Sequence, residues 1–157
     1  MTIDPDPNLT RTIAQSSTIE HLTSTLSALP AGTYFSRAGA ADPSNTLSAG
    51  TLIPCDDSNL SENTDVDFSV AYYVRGGPSY DVEAVWDAAI TAWSSNDWPI
   101  RETAGGDSPI TSAYTPDGYK IVIDKAYGSL SISGTSPCFP RPDATDRPSS
   151  PMQIDQS

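Results

Sequence analysis

Between Val66 and Val74 the chain alternates strictly, with Val66, Phe68, Val70, Tyr72 and Val74 in one register and Asp67, Ser69, Ala71 and Tyr73 in the other. A period of two predicts a strand with one face in a core and the other toward water. Gly76-Gly77-Pro78 ends it, and the period then lengthens. Val82, Val85, Trp86, Ala89, Ile90 and Trp93 fall at i, i+3, i+4, i+7, i+8 and i+11, the stripe of an amphipathic helix. Ser79 or Asp81 is the expected cap, and Asn96-Asp97 the expected stop after Ser95. A weaker stripe, Ile19, Leu22, Leu26 and Leu29, follows Ser17-Thr-Ile-Glu20, a hydroxyl with a carboxylate three residues on. This predicts a first helix over 17–29, closed by Pro30 and Gly32.

The remaining apolar runs are short. Strands are expected at Thr33–Ser36, Thr51–Cys55, Trp98–Thr103, Ile110–Tyr114, Tyr119–Ile123 and Ser129–Ser133. Thr115-Pro-Asp-Gly118 joins two of them with Pro and Gly where type I turns favour them. Ala38 to Gly50, Asp56 to Asp65 and Ala104 to Asp107 read as loops and a turn. The order is helix, short strands, long strand, helix, then four strands. It predicts an α+β fold, an antiparallel sheet of about five to six strands with two amphipathic helices on one face. Residues 1–12 are expected to be a flexible N-terminal tether, 13–139 a single α+β domain, and 140–157 a disordered tail with almost nothing apolar.

Composition sharpens this in two ways. Apolar residues are 37% of the chain, below the ~45–50% usual for globular domains. The difference lies in the two ends and in abundant Ser and Thr. The formal charge is −12 with eight scattered basic residues, so there is no basic stripe to neutralise phosphates and nucleic-acid binding is disfavoured. Anionic membrane surfaces are disfavoured likewise.

Candidate chemistry is sparse. Cys55 and Cys138 each follow a proline at a strand end. In an exported chain they favour a disulfide, with two buried free thiols as the alternative in a reducing compartment. Two cysteines with a single histidine do not make a standard four-ligand zinc site. His21 is expected on the solvent side of the first helix, with no catalytic part. The acidic run Asp56, Asp57, Glu62, Asp65 and Asp67 lacks the glycine and terminal glutamate of a calcium loop. A carboxylate pair for glycoside hydrolysis stays open as an alternative. No catalytic, metal or cofactor residue is assigned. Tyr72, Tyr73, Trp98, Tyr114 and Tyr119 are candidates for a ligand or partner surface.

The motifs Trp86…Trp93…Asp97-Trp98-Pro, Thr115-Pro-Asp-Gly-Tyr119, Ser129-Leu-Ser-Ile and Ser136-Pro-Cys138 resemble those of small actinobacterial cell-envelope lipoproteins over residues 50–139. Such proteins carry a lipid on an N-terminal cysteine, which would stand where Met1 stands here. The resemblance implies a location outside the cytoplasm, extracellular or at the cell surface, with membrane attachment only through such an anchor. The expected function is an exported, non-catalytic domain that binds a protein partner or an apolar ligand. A small hydrolase using acidic residues, and a structural accessory of an envelope or phage-encoded complex, are the alternatives.

Overall fold

The structure, a computed structural model, describes residues 6–38, 46–55, 65–77, 80–103, 109–126, 129–142 and 150–156. Helix α1 spans Arg11–Ser27 and α2 spans Val82–Ser95. The strands are β1 (Tyr34–Ser36), β2 (Thr51–Pro54), β3 (Val66–Arg75), β4 (Ile100–Thr103), β5 (Ile110–Tyr114), β6 (Lys120–Ala126), β7 (Ser129–Thr135) and β8 (Gln153–Asp155). All pair antiparallel in one eight-stranded sheet of order β4-β5-β6-β7-β3-β1-β8, with β2 also on β3. The α+β class and the antiparallel sheet are as the alternation implies, with more strands than expected.

Strand β3 organises the sheet. Its even-numbered residues, Val66 to Val74, point one way and the odd-numbered ones, Asp67 to Arg75, the other, and burial alternates along its whole length. Register carries that alternation sideways. Tyr72, Ile132, Ile123 and Thr111 form one buried row across four strands, and Val70, Gly134, Ile121 and Ala113 form the next. Helix α1 packs on β3 and β7, and α2 on β7 and α1. The helices are joined by a buried bond in which Trp93 Nε1 donates to Thr25 Oγ1 at 3.0 Å. Thr25 in turn donates to the His21 carbonyl at 3.1 Å.

Helix α1 begins earlier than its apolar stripe. Thr10 is the N-cap, accepting from the Ile13 amide, and the Ser17–Glu20 pattern lies in mid-helix. The added turns bury Ala14, and Thr18 is buried within the expected span; neither has the apolar bulk that a hydrophobic stripe registers. At Thr18 the contact with the sheet needs a glycine. A Cβ on Gly134 of β7 would stand 2.6 Å from Thr18 Cγ2, so helix and sheet meet there at backbone range. The start of α1, and the bond from the Asp6 amide to the Cys138 carbonyl at 2.9 Å, bring order into the second half of the expected tether. Residues 1–5 lie outside the described residues.

The C-terminal segment is the larger correction. Residues 140–157 were expected to be disordered, yet β8 pairs with β1 and buries Ile154. One apolar residue suffices because the other contacts are polar. Gln156 Nε2 donates to the carbonyls of Leu26, Leu29 and Pro30, and its Oε1 accepts from the Gly32 amide. The side chain thus satisfies the orphan carbonyls that end α1. The Arg37 guanidinium donates to the carbonyls of Leu47, Ser150 and Pro151, and Tyr72 Oη to that of Pro151. Residues 143–149 lie outside the described residues.

Two stability measurements follow. Gly134→Val should destabilise by about 2 kcal/mol or more through the clash with Thr18, read as a lower urea midpoint. A chain ending at residue 149 should melt several degrees lower than the full chain by circular dichroism, since it loses β8 and the α1 cap. An unchanged midpoint would show that the segment contributes nothing.

Candidate functional site

The described residues gather chemistry-bearing side chains at two places, both at the end of β7 that Thr135 closes.

The first is built by a helix stop and a hairpin. Helix α2 ends with Asp97 in the left-handed region at φ 59°, and the Trp98 amide donates back to the Trp93 carbonyl at 3.0 Å. This six-to-one bond is the Schellman closure, and it turns Trp98 toward α1. The β5–β6 turn is fixed by Thr115, whose backbone amide bonds the Tyr119 carbonyl and whose hydroxyl accepts from the Tyr119 amide. Gly118 holds φ 91°. Asp117 and Tyr119 are thereby presented to the same helix face as Trp98. His21 fills the space between them. Its ring lies edge-on to Trp98 at 5.5 Å and tilted on Tyr119 at 5.1 Å, with Nε2 3.1 Å from both Asp117 carboxylate oxygens.

His21 was expected in solvent, but its side chain is only 19% exposed. A helical wheel drawn on α1 alone misses the turn that covers this face. Burial works against ionisation of Asp117. Hydrogen bonds from Thr115 Oγ1 and His21, with the imidazole charge, outweigh it and hold the carboxyl below its usual range. Burial raises the Tyr119 phenol, opposed by a bond with Ser17 and reinforced by Asp117, Asp6 and Glu20. The cluster ties α1 to the hairpin. Among the described residues His21 Nε2 meets only Asp117, a histidine–carboxylate pair without the third member of a triad.

The second place lies where β3 begins. Cys55 follows β2, and its amide donates to the Asp65 carbonyl. On the opposite flank β7 continues past Thr135 with one extra residue. Ser69 pairs with Thr135 and Val66 with Phe139, three steps on one strand against four on the other. Ser136 fills this bulge, its hydroxyl accepting from the Phe68 amide and its own amide donating to the Phe68 carbonyl. The bulge delivers Cys138 to Cys55, and the two form the disulfide, with Cα atoms 6.3 Å apart. Closing a loop of 83 residues is worth about 4–5 kcal/mol in the chain-entropy model. Asp67 sits beside the bridge, with its carboxylate and both sulfurs within 4.8 Å of one another. Its Oδ1 is buried without a hydrogen-bond partner, and burial pushes the carboxyl up to about 6. With the sulfurs bonded to each other neither is a thiolate, so in this state the trio offers a metal only the carboxylate.

The five aromatic candidates do not form one surface. Tyr72 is fully buried, packed on Phe35 in the core, and burial lifts its phenol to about 12 against a smaller pull from Arg37. Tyr119 is 3% exposed. Both are corrected from surface to interior, because the row that holds Tyr72 and the turn that holds Tyr119 are covered. Trp98 belongs with His21. Tyr73 lies under the Arg75 guanidinium, 5.1 Å from ring centre, and shares its sheet face with Tyr114 by register. Asp56, Asp57 and Glu62 of the weighed calcium loop lie outside the described residues. A groove of about 540 Å³ runs between α1 and α2, lined by Ser24, Ala28, Asp87, Ala88, Thr91 and neighbours. It holds one carboxylate and no aromatic ring. No helix among the described residues is long and apolar enough to cross a membrane.

No protein-family profile, curated protein or solved structure matches this chain.

Asp117→Asn should cost less than about 1 kcal/mol at neutral pH, since the carboxylate is half exposed. A carboxyl with a lowered folded pKa contributes stability above its unfolded value and loses it as pH falls through the folded one. The difference from the parent protein in thermal melts should therefore be present at pH 7 and vanish in acid below pH 3.8, the ordinary value.

Proposed function

We propose that this chain is an exported, non-catalytic interaction domain that engages a protein partner through the sheet face opposite its helices. In this reading α1 and α2 both lie over the face that carries Phe68, Val70 and Tyr72. The opposite face carries Ser69, Ala71 and Tyr73 on β3, in register with Thr135, Ser133 and Ser131 on β7. All six are half-buried and uncharged.

That charge depletion is the observation that carries the reading. The six central positions carry no charge, and the charges of this face, Asp67 and Arg75 on β3 and Lys120 and Asp124 on β6, stand around them. The core of a protein interface is depleted of charge and enriched in Tyr, and Tyr73 stands in the strip. Export is supported by the disulfide, which persists in oxidising compartments, and by the resemblance to envelope lipoproteins. If an N-terminal lipid is present, the residues before Thr10 would connect it to α1. The groove between the helices supports neither an apolar ligand nor the hydrolase alternative. It lacks the aromatic lining of an apolar-ligand site and the facing carboxylates of a two-carboxylate hydrolase.

The test is photo-crosslinking in the native cell, with p-benzoylphenylalanine at Ser133 in the strip and, separately, at Ser16 on exposed α1. A discrete protein adduct from Ser133 that is absent from Ser16 is expected. No adduct, or the same adducts from both positions, would overturn the assignment of this face.

A further inference from the structure

The environment of Asp67 points to a use for the bridge beyond holding strands together. Unsatisfied buried carboxylate oxygens are uncommon and call for a proton, an ion or a chemical role. This one stands beside two sulfur atoms and is joined to nothing else. We propose that Cys55, Cys138 and Asp67 form a proton-coupled thiol–disulfide exchange site, whose co-reactant is a dithiol.

The two sulfurs are not equivalent. Cys138 is buried and 6% exposed, whereas Cys55 is half-exposed. An incoming thiolate therefore attacks Cys55 Sγ. The sulfur–sulfur bond breaks and its electron pair goes to Cys138 Sγ, which takes the proton of the Asp67 carboxyl and becomes a thiol. The second thiolate of the co-reactant then attacks the mixed disulfide and expels Cys55, which is protonated from water. The co-reactant leaves oxidised, both cysteines are reduced, and Asp67 regains a proton the co-reactant has released.

Leaving-group stability governs such exchange. An ionised Asp67 would repel the thiolate developing within 5 Å of it, and this repulsion is strong where water is excluded. A protonated Asp67 would neutralise the same thiolate. Its elevated pKa follows from burial, with no charged neighbour contributing. Among the described residues, Ile53 stands opposite it on β2, the two sulfurs lie beside it, and Asp65 precedes it by two residues; none of these is a cation. Protonation of Asp67 in mild acid therefore eases the departure of Cys138, relative to an unassisted disulfide attacked under the same conditions.

The probe is tris(2-carboxyethyl)phosphine acting on the full oxidised chain between pH 5 and 8, with thiols trapped by alkylation and counted by intact mass. Each rate is divided by that of oxidised glutathione under the same conditions, which removes the reagent's own pH dependence. In the parent protein this relative rate should rise about tenfold as pH falls through 6. Asp67→Asn and Asp67→Ser should flatten the profile and reduce faster than the parent at pH 8. Asp65→Asn should keep the parent profile. A flat relative rate in the parent protein overturns the proposal without any variant, and so does an Asp67 variant that retains the parent's pH dependence.

Discussion

Everything in this domain hangs on the ten residues of β3 keeping their alternation unbroken. It pairs with β7 along one edge, and with β2 and β1 end to end along the other. A slip of one residue would turn Phe68, Val70 and Tyr72 out of the core and bring Ser69 and Tyr73 in. Three features resist that slip. The bridge fixes the strand's beginning, Ser136 bonds both backbone groups of Phe68, and Phe35 and Ile154 continue the buried row at its far end. The long strand and its staples constrain each other. The bulge that lets Cys138 reach Cys55 is also the point where β7 leaves the regular register.

The features readable in the sequence are those where one chemical signal dominates. The alternation of β3, the stripe of α2 and the Pro-Asp-Gly turn before Tyr119 each show in residue type alone, and the disulfide follows from the only two cysteines. The features that were hidden depend on small or polar residues acting through geometry. Ala14 and Thr18 are buried on α1 without apolar bulk, and Gly134 leaves room for Thr18. β8 has one buried apolar residue, and its attachment rests on amide and guanidinium bonds to carbonyls that no hydropathy pattern marks. The extra residue at Ser136 is invisible until the strands are in register.

The candidate sites divide in the same way. Trp98 and Tyr119 were noticed as aromatics near turns, but their meeting at His21 requires the Asp97 backbone turn and the Thr115 bonds together. Position 97 in the left-handed region was signalled by Asn96-Asp97, a pair read only as a helix stop. Asp67 was counted as one member of an acidic run. Parity along β3 turns its carboxylate to the flank where the two sulfurs meet.

The Gln156 cap has a consequence for how the chain comes to be folded. Its partner Gly32 lies 124 residues upstream, among the most distant contacts a chain of this size can make. Contacts of such span form late, because loop closure must precede them. Until residue 156 has left the ribosome, the end of α1 and the outer edge of β1 have nothing to cap or cover them. The nascent domain therefore lacks this cap and this edge cover until its last residues are made.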